Sequence, residues 1–293
     1  MSIAIEPIII FTLLNIALTL GLYISNLSGQ LSLGTAAVSG IGGYLSAVLT
    51  TRLGLPFPVA VIAAMFAGAI VCSVLAMMTC RMEMFVLKLV TLAFGEAVVV
   101  LAFNIDYLGG ANSFTGITLH TNIGNAMALM VAALAIALSM DFSPIGYVAR
   151  ATRDDALAAA AMGVSIRGIR TLTFMASGGI VGIAGALQAH YLLVMNPHDL
   201  SFFISLSIVI FLLFGGVQSV WGAVVGAALL TVLPEALRFT NEFRHILFGA
   251  LIVAIVMLRP NGLITRRPLD PKSLPSFSVK PALESPEFSK ITS

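Results

Sequence analysis

Apolar stretches of about 17 to 25 residues recur along this 293-residue chain, each long enough to cross the hydrocarbon core of a bilayer as a helix. That repetition makes the length a count of helices rather than of soluble domains. Hydrophobic residues make up 59% of the chain and charged residues 10%, against roughly 25% charged in a soluble domain. The expected fold is all-α, a polytopic transmembrane helical bundle of about 8 to 10 spans.

The runs place spans at 7–25, 31–50, 57–79, 84–104, 124–140, 171–193, 202–214, 219–233 and 243–259. Gly215 and Gly216, followed by Gln218 and Ser219, mark a break inside the long run from Ser201 to Leu233 and favour two shorter or re-entrant helices over one. The first run has no basic residue before it, carries Glu6 and lacks a clear small-residue cleavage site, so it is expected to remain as a span. Residues 1–263 form the expected membrane domain. Residues 264–293, with five prolines and six serines, have the composition of a disordered tail.

Charge is concentrated in the loop of about 141–170, which holds Asp141, Arg150, Arg153, Asp154, Asp155, Arg167 and Arg170. Placing this loop in the cytoplasm also puts Arg81 and the basic residues of the tail inside, and leaves loops 105–123 and 194–202 outside with no Lys or Arg; Arg52, Arg238 and Arg244 fall outside against the rule. Within the loop, Thr152-Arg-Asp-Asp155 reads as a capping box that opens a helix of about eleven residues. The alanine-rich stretch through Ala159 continues it and Gly163 stops it. A helix of that length spans only about 15 Å, so it should lie along the membrane face, either as a solvated connector or as a docking element for another protein.

Several function classes drop out. The basic residues form no stripe interleaved with aromatics, so no nucleic-acid partner is expected. Cys72 and Cys80 share one apolar run without a nearby histidine, and His190 and His198 are isolated, so no metal site is expected. None of Lys88, Lys272, Lys280 and Lys290 follows a glycine, so the chain has no phosphate-cradling loop of its own. Gly178, Gly182 and Gly185 share a helix face, as do Gly222 and Gly226, a spacing that lets helices pack closely.

Four strings taken in order resemble the branched-chain amino acid ABC importer permeases, specifically the second of their two related permease subunits: GQLSLG from Gly29 with GIGGY from Gly40, TLAFGE from Thr91, RATRDDALAAAAMGV from Arg150, and GGVQSVWGAVVGA from Gly215. RPNGL from Arg259 resembles the family's ending. Ala156 and Thr35 depart from it, standing where a glutamate and a histidine are common. The resemblance implies a permease in the inner membrane of a prokaryote, paired with a sister permease, two ATP-binding subunits and an extracytoplasmic substrate-binding protein. It makes Arg150, Arg153, Asp154, Asp155, Ala159 and Gly163 the ATPase-docking residues, with ATP and Mg held by the partners and no cofactor or catalytic residue in this chain.

For such a cargo, a zwitterion with an apolar side chain, the candidate pathway residues are Gln30, Ser32, Glu96, Asn112 and Gln188, with Ser113 and Thr115 beside them. Glu96 lies near the middle of a span, where a charge costs about 2.5 to 3.5 kcal/mol on insertion scales, so it must face protein or water. A structural partnership with a neighbouring helix end is the favoured reading for it. The alternative functions are an ion-gradient-driven transporter or channel, which would need more buried ionisable groups, and, within the family, an importer of urea, amides or aromatic acids.

Overall fold

The computed structural model describes residues 5–236, 249 and 262–264. Ten α-helices follow in order among them: α1 Ile5–Asn26, α2 Thr35–Thr51, α3 Phe57–Thr79, α4 Met84–Asn104, α5 Ile123–Phe142, α6 Pro144–Asp154, α7 Ala156–Ala161, α8 Ile166–Leu192, α9 Phe202–Gly215 and α10 Val220–Ala236. Five of them (α1, α3, α4, α5 and α8) are long and apolar enough to cross a membrane, while α9 has 14 residues and α10 has 17. Apart from residue 249, the expected span 243–259 lies outside the described residues, as do most of the tail and its basic side chains.

Boundaries follow local chemistry. The run read as starting at 31 becomes helical only at Thr35, because Gly34 N–H donates to Ser32 Oγ at 3.1 Å and Leu33 N–H to Thr91 Oγ1 at 3.0 Å, which holds 29–34 as an extended turn. The break read at Gly215 is present: α9 ends there, Gly216 has φ +119°, and α10 returns from Val220. Leu263 and Ile264 N–H groups donate to the carbonyls of Phe214 and Gly215, so the segment after RPNG closes onto this same break. A two-residue antiparallel pair, β1 Phe114–Thr115 with β2 Val194–Met195, departs from a purely helical chain and puts the two loops free of Lys and Arg at one end of the bundle. At the opposite end, Arg170 Nη1 donates to the Cys80 carbonyl at 2.6 Å, joining the start of α8 to the α3–α4 turn.

The bundle is organised around α8, which packs against α1, α2 and α3. A side chain on Gly178 or Gly182 would overlap the carbonyls of Gly68 and Ala64 on α3, and one on Gly185 would overlap the Ser39 carbonyl on α2. Gly42 faces Gly182 in the same way, so three backbones meet with no side chain between them. Gly215, Gly222 and Gly226 repeat the arrangement between α9 and α10. In lipid the helices gain nothing from hydrophobic exclusion of water, so dispersion contacts at this range stabilise the assembly.

A methyl group at Gly185 should therefore destabilise the folded bundle by about 1–3 kcal/mol. Gly95→Ala should be close to neutral, since its added carbon would meet nothing nearer than Gly34 Cα at 3.7 Å. Thermal unfolding of both variants in one mild detergent checks the contrast, and equal midpoints would contradict it.

Candidate functional site

The charged end of the bundle is built outward from the last turn of α5. Ser143 Oγ accepts from Gly146 N–H, and Pro144 occupies the first turn, where it loses no intrahelical hydrogen bond. These signals start α6 eight residues before the expected capping box. Thr152 is therefore no cap: it is buried inside α6, its hydroxyl donating to the Val148 carbonyl at 2.9 Å. The single helix expected from Thr152 is two helices with a corner at Asp155, whose backbone is extended at φ −149° and ψ 102°. Asp155 Oδ1 accepts from Leu157 and Ala158 N–H, both at 2.9 Å, and so caps α7. Gly163, at φ +84°, ends it: Gly163 N–H donates to Ala160 and Val164 N–H to Ala159, the paired bonds of a Schellman stop.

Ionic and aromatic contacts tie α6 to the bundle. Arg150 Nη1 pairs with Asp141 Oδ1 at 2.5 Å and also donates to the Asp141 carbonyl at 3.0 Å. Tyr23 of α1 donates its hydroxyl to the same carboxylate oxygen at 3.0 Å, and the Arg150 guanidinium lies 4.7 Å from the centre of the Tyr147 ring. Asp141 is only 4% exposed, so its charge depends on these partners. Arg153 packs its stem against Gly29, whose φ of +82° bends the chain as it leaves α1. Its contact with Asp154 at 3.1 Å is an exposed ion pair worth little.

Beyond α6 the segment 27–34 gathers the rest of the bundle. Ser28 Oγ and Thr173 Oγ1 are 2.7 Å apart, Leu33 bonds to Thr91, and Ala36 N–H donates to Ser205 Oγ at 3.0 Å. Residues 28–36 therefore run from the Arg153 contact at Gly29 to contacts with α4, α8 and α9. On the outer side, Leu157 and Met162 are 83% and 86% exposed, more than any other large apolar side chain among the described residues. Leu157 also borders a cleft of about 610 Å³ with Arg81, Glu83, Arg167 and Arg170. Reading the alanine run as the feature of interest overlooked these two side chains; the available signal was apolar residues inside a charged loop too short to be a span.

The candidate pathway residues do not converge on one place. Gln30 is fully buried beside Ser28, which donates to its Oε1 at 3.3 Å, and its Nε2 has no partner among the described residues. Ser32 is spent on the Gly34 turn. Glu96 Oε1 accepts from Phe202 N–H at 3.1 Å, which satisfies one of the free amides that open α9. Gln188 borders a narrow crevice with Gly40, Asp199 and Leu200, so it and Glu96 flank the approach to α9. Asn112 sits exposed in a 3₁₀ turn at the opposite end from the charged loop. Among the described residues no three His, Cys, Asp or Glu side chains gather as a metal site would need, and both cysteines are free. His190 is nonetheless less isolated than its spacing suggested: Nδ1 lies 3.0 Å from the Thr118 carbonyl, and the ring stands against those of Phe57 and His120.

Long apolar helices joined at glycine seams, with a charged helical corner at one end, define a multi-pass membrane protein. The chain belongs to the family described as branched-chain amino acid transport system, permease component, whose model matches residues 4–256. It is 29% identical over 309 residues to the high-affinity branched-chain amino acid transport system permease protein LivM of Escherichia coli K12, covering 92% of this chain and 70% of that protein. LivM of Salmonella typhimurium is 29% identical over 305 residues, with the same coverage. The permease protein LivH of Salmonella typhimurium is 27% identical over 139 residues, 46% of this chain and 44% of the relative. No solved structure matches the chain.

Removing Arg150 takes the paired cation away from a buried carboxylate that also accepts from Tyr23. Arg150→Ala should cost about 3–5 kcal/mol, and Arg150→Ala with Asp141→Ala less than the sum of the two single changes. A double-mutant cycle on detergent unfolding measures the coupling; strict additivity would show that the pair does not hold α6.

Proposed function

We propose that this chain is one membrane subunit of an ATP-driven importer of branched-chain amino acids in the cytoplasmic membrane of a prokaryote, and that α6 and α7 dock on a partner ATPase. The observation that carries the docking reading is a pair of exposed apolar side chains at the two ends of a short capped helix outside the spans, Leu157 in the first turn of α7 and Met162 at its C-cap. Large apolar side chains left in solvent clear of the bilayer are suited to pockets on a partner protein. The cargo is proposed from the names of the similar LivM and LivH proteins. The other partners are a sister permease, a second ATP-binding subunit and an extracytoplasmic binding protein, with residues 1–263 as the membrane domain and 264–293 as a cytoplasmic tail.

On this reading the chain performs no reaction of its own and binds neither ATP nor Mg. Closure of the ATPase pair displaces α7, and Asp155, Gly163 and Ala159 keep that helix short and stiff enough to transmit the push. Arg150 and Arg153 pass it to Asp141, Tyr23 and the Gly29–Gly34 turn, biasing the bundle between its outward-facing and inward-facing packings. Asp154 contributes a solvated charge to the contact.

Affinity purification in mild detergent should recover an ATPase, a second permease and a binding protein whose ligand is leucine, isoleucine or valine. Ala159→Pro, or Arg153→Ala combined with Asp155→Ala, should uncouple ATP hydrolysis from uptake while the protein stays in the membrane; loss of the Asp155 cap alone costs about 1 kcal/mol. Normal coupled uptake in both variants would contradict docking through α7.

A further inference from the structure

The two flanks of the bundle differ in a way that assigns their neighbours. Helices α3 and α5 form one flank. Phe66, Ile70 and Val131 are more than half exposed there, and a groove of about 470 Å³ between α3, α5 and α8 is lined almost wholly by carbon. No Asp, Glu, Lys, Arg or His occurs from 57 to 79 or from 123 to 140. Such a surface is matched to lipid tails.

The α4–α9 flank is as apolar in bulk, with Val100 57% and Phe203 74% exposed, but ionisable groups break it at depth. Glu96 lies roughly 18 Å along α4 from Met84 and roughly 12 Å from Asn104, at 1.5 Å per residue. It is exposed in this chain, as are His198 and Asp199 in the 3₁₀ turn Pro197–Leu200 that precedes α9. That turn descends into the bundle: His198 stands edge-on to Phe103, at the end of α4, at 4.9 Å, and Leu200 rests on Gly40, well inside α2. Helix α9 thus begins at about half depth, beside the carboxylate that accepts from its first amide. Non-helical backbone and ionised side chains at that depth are tolerated only against protein or water.

We infer that the α4–α9 flank, centred on Glu96 and the start of α9, is the surface that receives the second permease subunit, and that the α3–α5 flank faces lipid. The inference rests on the paired-permease reading above. The partner supplies apolar contact to Val100 and Phe203 and further hydrogen-bond donors or a cation opposite Glu96 and Asp199, while a lipid neighbour would leave Glu96 with the Phe202 amide and no cation.

The test places the photocrosslinking residue benzoylphenylalanine singly at Val100, Phe203, Ile70 and Val131 in the full complex in native membranes. Irradiation should shift the Val100 and Phe203 proteins on a gel by the mass of the sister permease, and should give only lipid adducts at Ile70 and Val131. Sister adducts at Ile70 or Val131, a shift by the mass of a second copy of this chain, or lipid adducts at all four positions would overturn the assignment. Co-purification of the sister through an affinity tag on this chain is scored in parallel. If the sister co-purifies without adducts on α4 and α9, the interface assignment fails and the pairing stands; if it is never recovered, the pairing itself fails.

Discussion

Backbone-to-backbone contact along α8 is the constraint on which the rest of the bundle depends. Where Gly178, Gly182 and Gly185 face α2 and α3, carbonyl oxygens occupy the space any side chain would need, so the three helices have one register available to them. At 27 residues, α8 is about 40 Å long by helical rise, longer than a bilayer core. One end therefore carries Arg170 onto the α3–α4 turn, next to α7, while the other reaches the loops around β1 and β2. Rigid packing in the middle makes events at the two ends part of one body.

Against that rigid centre, two features are built to give way. The 27–34 segment is non-helical yet hydrogen-bonded to α4 and α8, and α9 is a half-length helix held at its start by Glu96 and at its end by the Gly215 break. Both adjoin the start of α2, where Ala36 bonds to Ser205. A bundle with one stiff group of helices and one group hung on turns is suited to two alternative packings, which transport by alternating access requires.

Hydropathy alone located the long spans, because a helix in lipid must be apolar over its whole length whatever its neighbours are. The Gly215 break and the Gly163 stop could also be read locally, since both rest on backbone conformations that glycine adopts without strain. The α6–α7 corner could not be read from the capping-box pattern. Thr152 and Asp155 have the right spacing, but the earlier cap at Ser143 and Pro144 had already started a helix, leaving Asp155 to begin the next one. Tyr23 and Asp141 are distant in sequence, and their contact depends on how α1 and α5 pack. The half-depth start of α9 was equally hidden, because it depends on Leu200 finding Gly40 rather than on any property of the Ser201–Gly215 run itself.

The central claim is that this conduit has no motor of its own and is driven through its charged corner by a partner. Uptake of labelled leucine against a gradient into proteoliposomes, measured with the purified chain alone and again with the co-purified ATPase, sister permease and binding protein, tests it most directly. The account predicts accumulation only in the complete, ATP-loaded system; uphill accumulation by the chain alone would contradict it.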